Sequence, residues 1–246
     1  MATIAIGDVH GNLPALNDLL AKLELTAEDT LILLGDLIDR GPDTKGCLER
    51  LVQLQSEAPC PVRFVLGNHE EWLLRTLDDP TKHSWIAGMN GQVTMASYSQ
   101  EISDAILAEM REVNIRLLTE KLPLPYERFF EVVPQTHIDL LRSMVPFVRT
   151  ADGVFVHGGV AIGGGPVEDQ KPSVLPWGDN RFPDEYSDPD PIVYGHHDNA
   201  VLDDDGWPHP RILENKTYGI DTIKHGVLTA ISMPSADVIQ SARHSV

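Results

Sequence analysis

Before Glu71 the chain repeats one plan three times: a short aliphatic run ends in a glycine, and side chains able to hold a metal follow at once. The runs are Thr3-Ile4-Ala5-Ile6, Leu31-Ile32-Leu33-Leu34 and Val62-Arg63-Phe64-Val65-Leu66. The loops are Gly7-Asp8-Val9-His10-Gly11, Gly35-Asp36-Leu37-Ile38-Asp39-Arg40-Gly41 and Gly67-Asn68-His69-Glu70. Short apolar runs closed by glycine read as buried strands. Leucines at helical spacing fill the intervals: Leu13, Leu16, Leu19, Leu20 and Leu23 after the first loop, then Leu48, Leu51 and Leu54 after the second. Asn12 is the candidate N-cap of the first helix, with Pro14 in its first turn, and Thr44 that of the second. A βαβαβ succession makes the strands parallel, so the three loops share one sheet edge.

From Glu71 the period changes. Ile102, Ile106, Met110, Val113 and Leu117 make one helical stripe and Ile138, Leu141 and Val145 another, so residues 71–147 are expected to form a helical insert within a single domain, 1–246. Strand-like runs return at Val154-Phe155-Val156 before His157, at Ile192-Val193-Tyr194 before Gly195-His196, and over Thr217 to Ile220 and Val227 to Ile231. Glu168 to Pro191 and Asp203 to Pro210, rich in Pro, Asp and Gly, read as loops. The triplet Asp203-Asp204-Asp205 matches no calcium-loop spacing and reads as a solvated turn.

Asp8 and His10, two residues apart at a strand end, emerge on the same side and can hold one ion between carboxylate and imidazole. Asp36 ends the next strand, near enough to join that ion to a second. Asn68 offers a neutral carbonyl oxygen, and His157 and His196 follow later strands beside glycines that leave room. Together these six suit two divalent cations sharing Asp36.

A formal charge of -18 opposes binding to nucleic acid or an anionic membrane surface, so neither is an expected partner. A phosphate-bearing substrate would need its charge met locally, by metal ions and a few arginines. No apolar run approaches the roughly 18 residues of a membrane span. The start runs directly into Gly7-Asp8, so no leader is expected, and Cys47 and Cys60 lack a C-x-x-C partner, which suits a reducing, cytoplasmic setting. With 246 residues, 42% of them hydrophobic, the chain can bury a substantial core.

Gly-Asp-Val-His-Gly, Gly-Asp-Leu-Ile-Asp-Arg-Gly and Gly-Asn-His-Glu closely resemble the signature loops of the calcineurin-like metallophosphoesterases. Asp39-Arg40 within them resembles the phosphoprotein phosphatase branch, which includes bacterial and phage serine/threonine protein phosphatases and symmetrical diadenosine tetraphosphatases. The resemblance runs from Ile4 to about Thr229 and is loosest in the insert, where Trp85, Asn90-Gly91, Thr94 and Ser97-Tyr98 still look like a stretch of the bacterial members. It implies an α/β fold, an αββα sandwich of two mixed sheets with metals between the sheet edges. It implies Asp8, His10 and Asp36 on a first metal and Asp36, Asn68, His157 and His196 on a second, with manganese favoured and iron, zinc or nickel compatible. The implied chemistry is in-line attack by a hydroxide shared between the metals, with His69 protonating the leaving oxygen. Asp39 would orient and charge the His69 ring, and Arg40 and Asn68 would hold the phosphate.

Four departures bear on substrate choice. Gly195-His196-His197-Asp198 stands where the bacterial members carry Gly-His-Thr, and His197 is expected beside the ligands rather than on a third ion. Asp179 occupies the place of a second phosphate arginine, leaving Arg181 as its replacement. Gln92 replaces a glycine of the insert motif, and Gly219-Ile220-Asp221-Thr222-Ile223 stands for Asn-Ile-Asp-Thr-Gly. His83, His137, His209, His225 and His244 are expected on the surface or in helices. The resemblance thus implies a metal-dependent phosphatase acting on phosphomonoesters of a phosphorylated protein, a peptide or a small molecule. The alternative is a bis(5'-nucleosyl)-tetraphosphatase or related nucleotide anhydride hydrolase, and the remote one is a non-catalytic scaffold of the same fold.

Overall fold

In the computed structural model, which describes residues 2–245, the first third of the chain builds the expected frame. It comprises β1 (Thr3–Ile6), α1 (Leu13–Lys22), β2 (Thr30–Leu33), α2 (Thr44–Glu57) and β3 (Val62–Phe64). The three strands are parallel, Thr3 opposite Thr30 and Leu31 opposite Val62. Helices α3 (Asn68–Asp78), α4 (Ser84–Gly88), α5 (Gly91–Tyr98), α6 (Gln100–Val113), α7 (Arg116–Glu120), α8 (Glu127–Phe130) and α9 (Gln135–Arg142) follow. Then come β4 (Phe147–Thr150), β5 (Gly153–Val156), β6 (Ile192–Tyr194), β7 (Ala200–Leu202), β8 (Pro208–Ile212), β9 (Thr217–Gly219), β10 (Thr229–Met233) and β11 (Asp237–Gln240).

Among the described residues these strands form two mixed sheets, ordered β11-β10-β1-β2-β3 and β4-β5-β6-β9-β8-β7. In the second, β5, β6 and β9 run parallel. Ala5, Ile32 and Ile231 of the first sheet meet Phe155 and Val193 of the second in one buried cluster. Their neighbours Ile4, Ile6, Leu31 and Leu33 point the other way, onto Leu16 and Leu19 of α1 and Leu48 and Leu51 of α2. Burial on both faces is why these strands read as unbroken apolar runs instead of alternating ones. Over the outer face of the second sheet, Val160, Val167, Leu175 and Tyr186 cover Val154, Val156, Ile192 and Tyr194. That cover is mostly irregular chain, with a turn of 3-10 helix at Val167–Asp169.

Several local expectations are corrected. Asn12 caps α1 as expected, accepting from the Ala15 N–H at 3.1 Å. The cap of α2 is Asp43, not Thr44: its carboxylate accepts from the Gly46 N–H at 2.8 Å, while the Thr44 hydroxyl is turned inward toward Thr94. Val145 does not extend the second helical stripe, because α9 ends at Arg142 and Val145 bridges Val65. Asp203 to Pro210 is not all loop, since Pro208–Ile212 pairs with β7. Pro208 and Pro210 lack the N–H that a ladder uses and so hid this strand from its composition. The acidic triplet is its turn: Asp203 Oδ1 accepts from the N–H groups of Asp205 and Trp207 at 3.0 and 2.8 Å. His83 is not on the surface but buried against the Tyr126 hydroxyl, while His137 lies in α9 as expected, buried against the hydroxyl of Tyr98. No helix among the described residues is long and apolar enough to cross a membrane.

Asp43→Ala should remove the α2 cap and cost about 1 kcal/mol. Equilibrium urea unfolding of the full chain reads this as a lower midpoint with unchanged slope, and an unshifted midpoint would remove Asp43 from the account of how α2 begins.

Candidate active site

The parallel strands of both sheets run toward the same edge, and the residue types singled out in the sequence follow their ends. Asp8 comes after β1, Asp36 after β2, Asn68 after β3, His157 after β5 and His196 after β6. His10 Nε2 lies 3.9 Å from Asp8 Oδ2 and 3.6 Å from Asp36 Oδ2. His157 Nε2 lies 3.3 Å from the other Asp36 oxygen. One end of the Asn68 amide is 3.0 Å from both His157 Nε2 and His196 Nδ1. Donor atoms of His10, Asp36 and His69, and separately of Asp36, His157 and His196, lie within 4.8 Å of one another, and Asp36 belongs to both groups.

The ring tautomers favour metal coordination. His10 Nδ1 and His157 Nδ1 each donate to a backbone carbonyl, of Ile38 and Leu34 respectively, at 2.8 Å. Each ring therefore turns its Nε2 inward, His10 with a lone pair to give and His157 with a proton that a cation would displace. Among the described residues His10 Nε2 is buried and has no hydrogen-bond partner, the arrangement expected where a cation is the partner.

Electrostatics agree. Burial pushes His10 and His196 down to about 3, keeping both neutral as ligands must be. Burial also works against charge on Asp36, but His157 and His69 outweigh it and hold Asp36 well below the usual carboxylate range. Burial and the nearby Asp221 raise Asp8, and burial lifts Asp221 and Glu70 to about 7 each. At His157 the carboxylates win over burial, Asp36 and Asp8 pushing it up to about 10. Four buried carboxyls thus draw positive charge to the point where the sheet edges meet.

The loops adopt backbone conformations that side-chain-bearing residues rarely take. His10 (φ 44°), Asp36 (φ 48°), Asp39 (φ 66°), Arg40 (φ 64°) and His196 (φ 73°) are all left-handed. The first two loops are tied together, the Val9 and His10 N–H groups donating to the Asp36 carbonyl at 3.1 and 2.8 Å. Glu70 completes the tie, its carboxylate accepting from Asp36 N at 2.9 Å and Leu37 N at 2.7 Å. Two glycines are required by space: a Cβ on Gly195 would run into Asp8 Oδ1, and one on Gly67 into Asp36 Oδ1.

Beside Asp36 stands a second group. His69 Nδ1 donates to Asp39 Oδ2 at 2.7 Å, and His69 Nε2 faces Arg40 Nη2 at 3.3 Å. Burial lowers the imidazole's affinity for a proton, but Asp36 and Asp39 together raise its pKa above the ordinary histidine value. Asp39, fully buried, also accepts from the Trp85 indole and the Thr94 hydroxyl.

One sequence-derived site has other partners: Arg181 is exposed, its guanidinium bonded to Asp179 at 3.0 Å and to the Ile162 carbonyl at 3.0 Å. The Asn68 amide lies between Met89 and the histidines, and with its nitrogen toward His157 and His196 it donates to both Asp36 oxygens, at 3.3 and 3.2 Å. His197 stacks on His196 with ring centroids 4.0 Å apart, and His225 pairs with Asp198 at 3.1 Å. Sequence reasoning gave no place in the site to Glu70, Trp85, Thr94 or Asp221, and read Thr44 only as a helix cap. The usable signal was positional for two of them: Asp221 follows the end of β9 as Asp8 follows β1, and Glu70 closes the third loop.

The calcineurin-like phosphoesterase model matches residues 1–226. A symmetrical bis(5'-nucleosyl)-tetraphosphatase of Cellvibrio japonicus is 47% identical over 75 residues, which is 30% of this chain and 26% of that protein. The aligned stretch is thus only about a quarter of the curated relative. In fold, the chain is similar to a crystal structure of a candidate diadenosine tetraphosphatase, with TM-score 0.61, 19% identity, and 100% and 95% of the two chains covered. It is also similar to a mutant cold-active protein tyrosine phosphatase, with TM-score 0.59, 17% identity, and 97% and 77% covered.

Glu70→Gln leaves one of the two loop amides facing an NH2 group instead of an oxygen. Divalent-metal affinity should fall by about tenfold or more, the usual effect of losing a residue that orients a ligand. Competition with a chromogenic chelator measures it, and an unchanged affinity would separate Glu70 from the ligand set.

Proposed function

The chain belongs to the calcineurin-like phosphoesterase family, and from that premise we propose that it is a metal-dependent phosphatase hydrolysing phosphomonoesters of a phosphorylated protein, peptide or small molecule. One observation carries the reading: a single buried carboxylate, Asp36, shared by two groups of donors and flanked by an imidazole whose far nitrogen is held by Asp39. Asp8, His10 and Asp36 would hold one divalent cation and Asp36, Asn68, His157 and His196 another, with manganese the first choice and iron, zinc or nickel compatible. When bound, the cations supply Lewis-acid polarisation of the phosphoryl group and lower the pKa of the attacking water.

The chain's own residues do the rest. His69 delivers a proton from Nε2 to the leaving oxygen, and Asp39 fixes the tautomer that puts that proton on the cleft side. The Arg40 guanidinium lies 3.3 Å from the same nitrogen and lowers the ring's affinity for a proton, but Asp36 and Asp39 outweigh it and favour the imidazolium. Exposed and adjacent to the acid, it has donors to spare for non-bridging phosphate oxygens, whose charge grows in the transition state. Asn68 is kept in both roles, as a ligand through its amide oxygen and as a phosphate donor through its amide nitrogen. Residues 1–246 are read as one domain, with 71–147 an insert that shapes the cleft, and the free buried thiols of Cys47 and Cys60 favour a cytoplasmic setting.

A second reading, hydrolysis of a dinucleoside tetraphosphate, is favoured by the relative from Cellvibrio japonicus, which is named for that activity. Turnover of a phosphopeptide, p-nitrophenyl phosphate and diadenosine tetraphosphate by the manganese-loaded chain compares the two. Cleavage confined to the dinucleotide would overturn the phosphomonoesterase reading.

His69→Asn should lower kcat by about 10²–10⁴ while leaving metal stoichiometry intact, because it removes a proton donor and not a ligand. In the metal-free chain Asp36 and Asp39 raise the His69 pKa, so the imidazolium should persist above the ordinary histidine range, which an NMR titration of the ring reads. Loss of bound metal in the variant, measured by plasma emission, would return His69 to the ligand set.

A further inference from the structure

The His69 ring takes up only part of what Asp39 accepts. Asp39 Oδ1 accepts the Thr94 hydroxyl at 2.6 Å, and Oδ2 accepts the Trp85 indole N–H at 3.0 Å as well as His69 Nδ1–H at 2.7 Å. The Thr94 oxygen in turn accepts the Asp39 backbone N–H at 2.9 Å and lies 3.1 Å from the Thr44 hydroxyl. One donor and two lone pairs are all that a threonine hydroxyl has, so Thr94 is fully used. Asp39, Thr44, Trp85 and Thr94 are all buried. Trp85 sits in α4 and Thr94 in α5, so the donors come from helices outside the sheet loops. The indole is fixed in turn: a Cβ on Gly91 would lie 2.6 Å from it, and the Phe129 ring packs with its centroid 5.7 Å away.

We propose that Trp85 and Thr94 are positioning residues for proton delivery, clamping Asp39 so that His69 presents Nε2 to the leaving group. The proposal rests on the reading of His69 as the acid. A carboxylate turns about a broad terminal torsion, and with the imidazole as its sole partner Asp39 would follow the ring rather than fix it. Two donors arriving from separate helices set the carboxylate plane independently of His69. Trp85 and His69 together fill the two acceptor positions of Oδ2, so the oxygen facing Nδ1 stays an acceptor and the proton on Nδ1 stays in place. Nε2 is then the nitrogen left for substrate.

Such a role has a signature that mere structural support lacks. A leaving group that departs readily as an anion needs no proton, and a basic one does, so loss of positioning must grow with leaving-group basicity. We would compare kcat on phenyl phosphate and on dinitrophenyl phosphate for the manganese-loaded wild type, His69→Asn, Trp85→Phe, Thr94→Val and Thr94→Ser. Trp85→Phe and Thr94→Val should each lose on the order of tenfold on phenyl phosphate and less than about twofold on dinitrophenyl phosphate, with Thr94→Ser near wild type on both. Equal losses on the two substrates, no loss on phenyl phosphate, or a serine variant as impaired as the valine would overturn the clamp. His69→Asn separates this from failure of the underlying reading: a loss independent of leaving group in that variant overturns the acid assignment, and the clamp with it.

Discussion

Everything in the site depends on how Asp36 is held. It lies in a left-handed conformation, fully buried, with its side chain between His10 and His157. A left-handed backbone costs a residue with a side chain roughly 1–2 kcal/mol, and desolvating its carboxylate adds more. Against this stand the two N–H groups of Val9 and His10 on its carbonyl and the Glu70 carboxylate on its own amide and that of Leu37. A hydrogen bond contributes about 1 kcal/mol net, so the two to Glu70 are of the order of the backbone strain. The three loops therefore behave as one unit. The first gives donors to the second, and the third supplies the acid that closes it.

The same unit explains a charge distribution that would otherwise be unfavourable. The chain carries a formal charge of -18, yet it buries Asp8, Asp36, Glu70 and Asp221 near one another. Carboxylates so placed favour positive charge among them, whether a proton on His157 or divalent cations. Of the groups around them, His10 and His196 are kept neutral by burial, and Arg40 reaches outward beside His69. Attraction for an anionic substrate must then come from the cations and from Arg40, since the surface at large repels it.

Much of this was legible in the sequence because strand ends and glycines are local signals. Asp8, His10, Asp36, Asn68, His157 and His196 each stand within a few residues of an aliphatic run, and the parallel topology that gathers them follows from the βαβαβ spacing. The residues whose part in the site was not read act across the chain. Glu70 supports a loop 34 residues before it and Thr94 a carboxylate 55 residues before it, at distances no periodicity reports. Thr44 looked like a helix cap because threonine caps helices. It lost that place to Asp43 because its hydroxyl had a partner in α5. The β7–β8 hairpin was masked by prolines that only an observed register shows to be tolerable.

The division between what was visible and what was not follows the chemistry. Metal-ligand types sit on the most rigid part of the fold, the buried strand ends, and are fixed by backbone geometry shared between the sheets. The group that would move a proton is fixed differently. His69 belongs to the third loop, but its orientation passes through Asp39 to Trp85 and Thr94, on helices that pack beside the sheets rather than within them. Substitutions in those helices can therefore reach the acid without disturbing a ligand. That restricts variation at Trp85 and Thr94 more tightly than their distance from Asp8 and His196 in the sequence suggests.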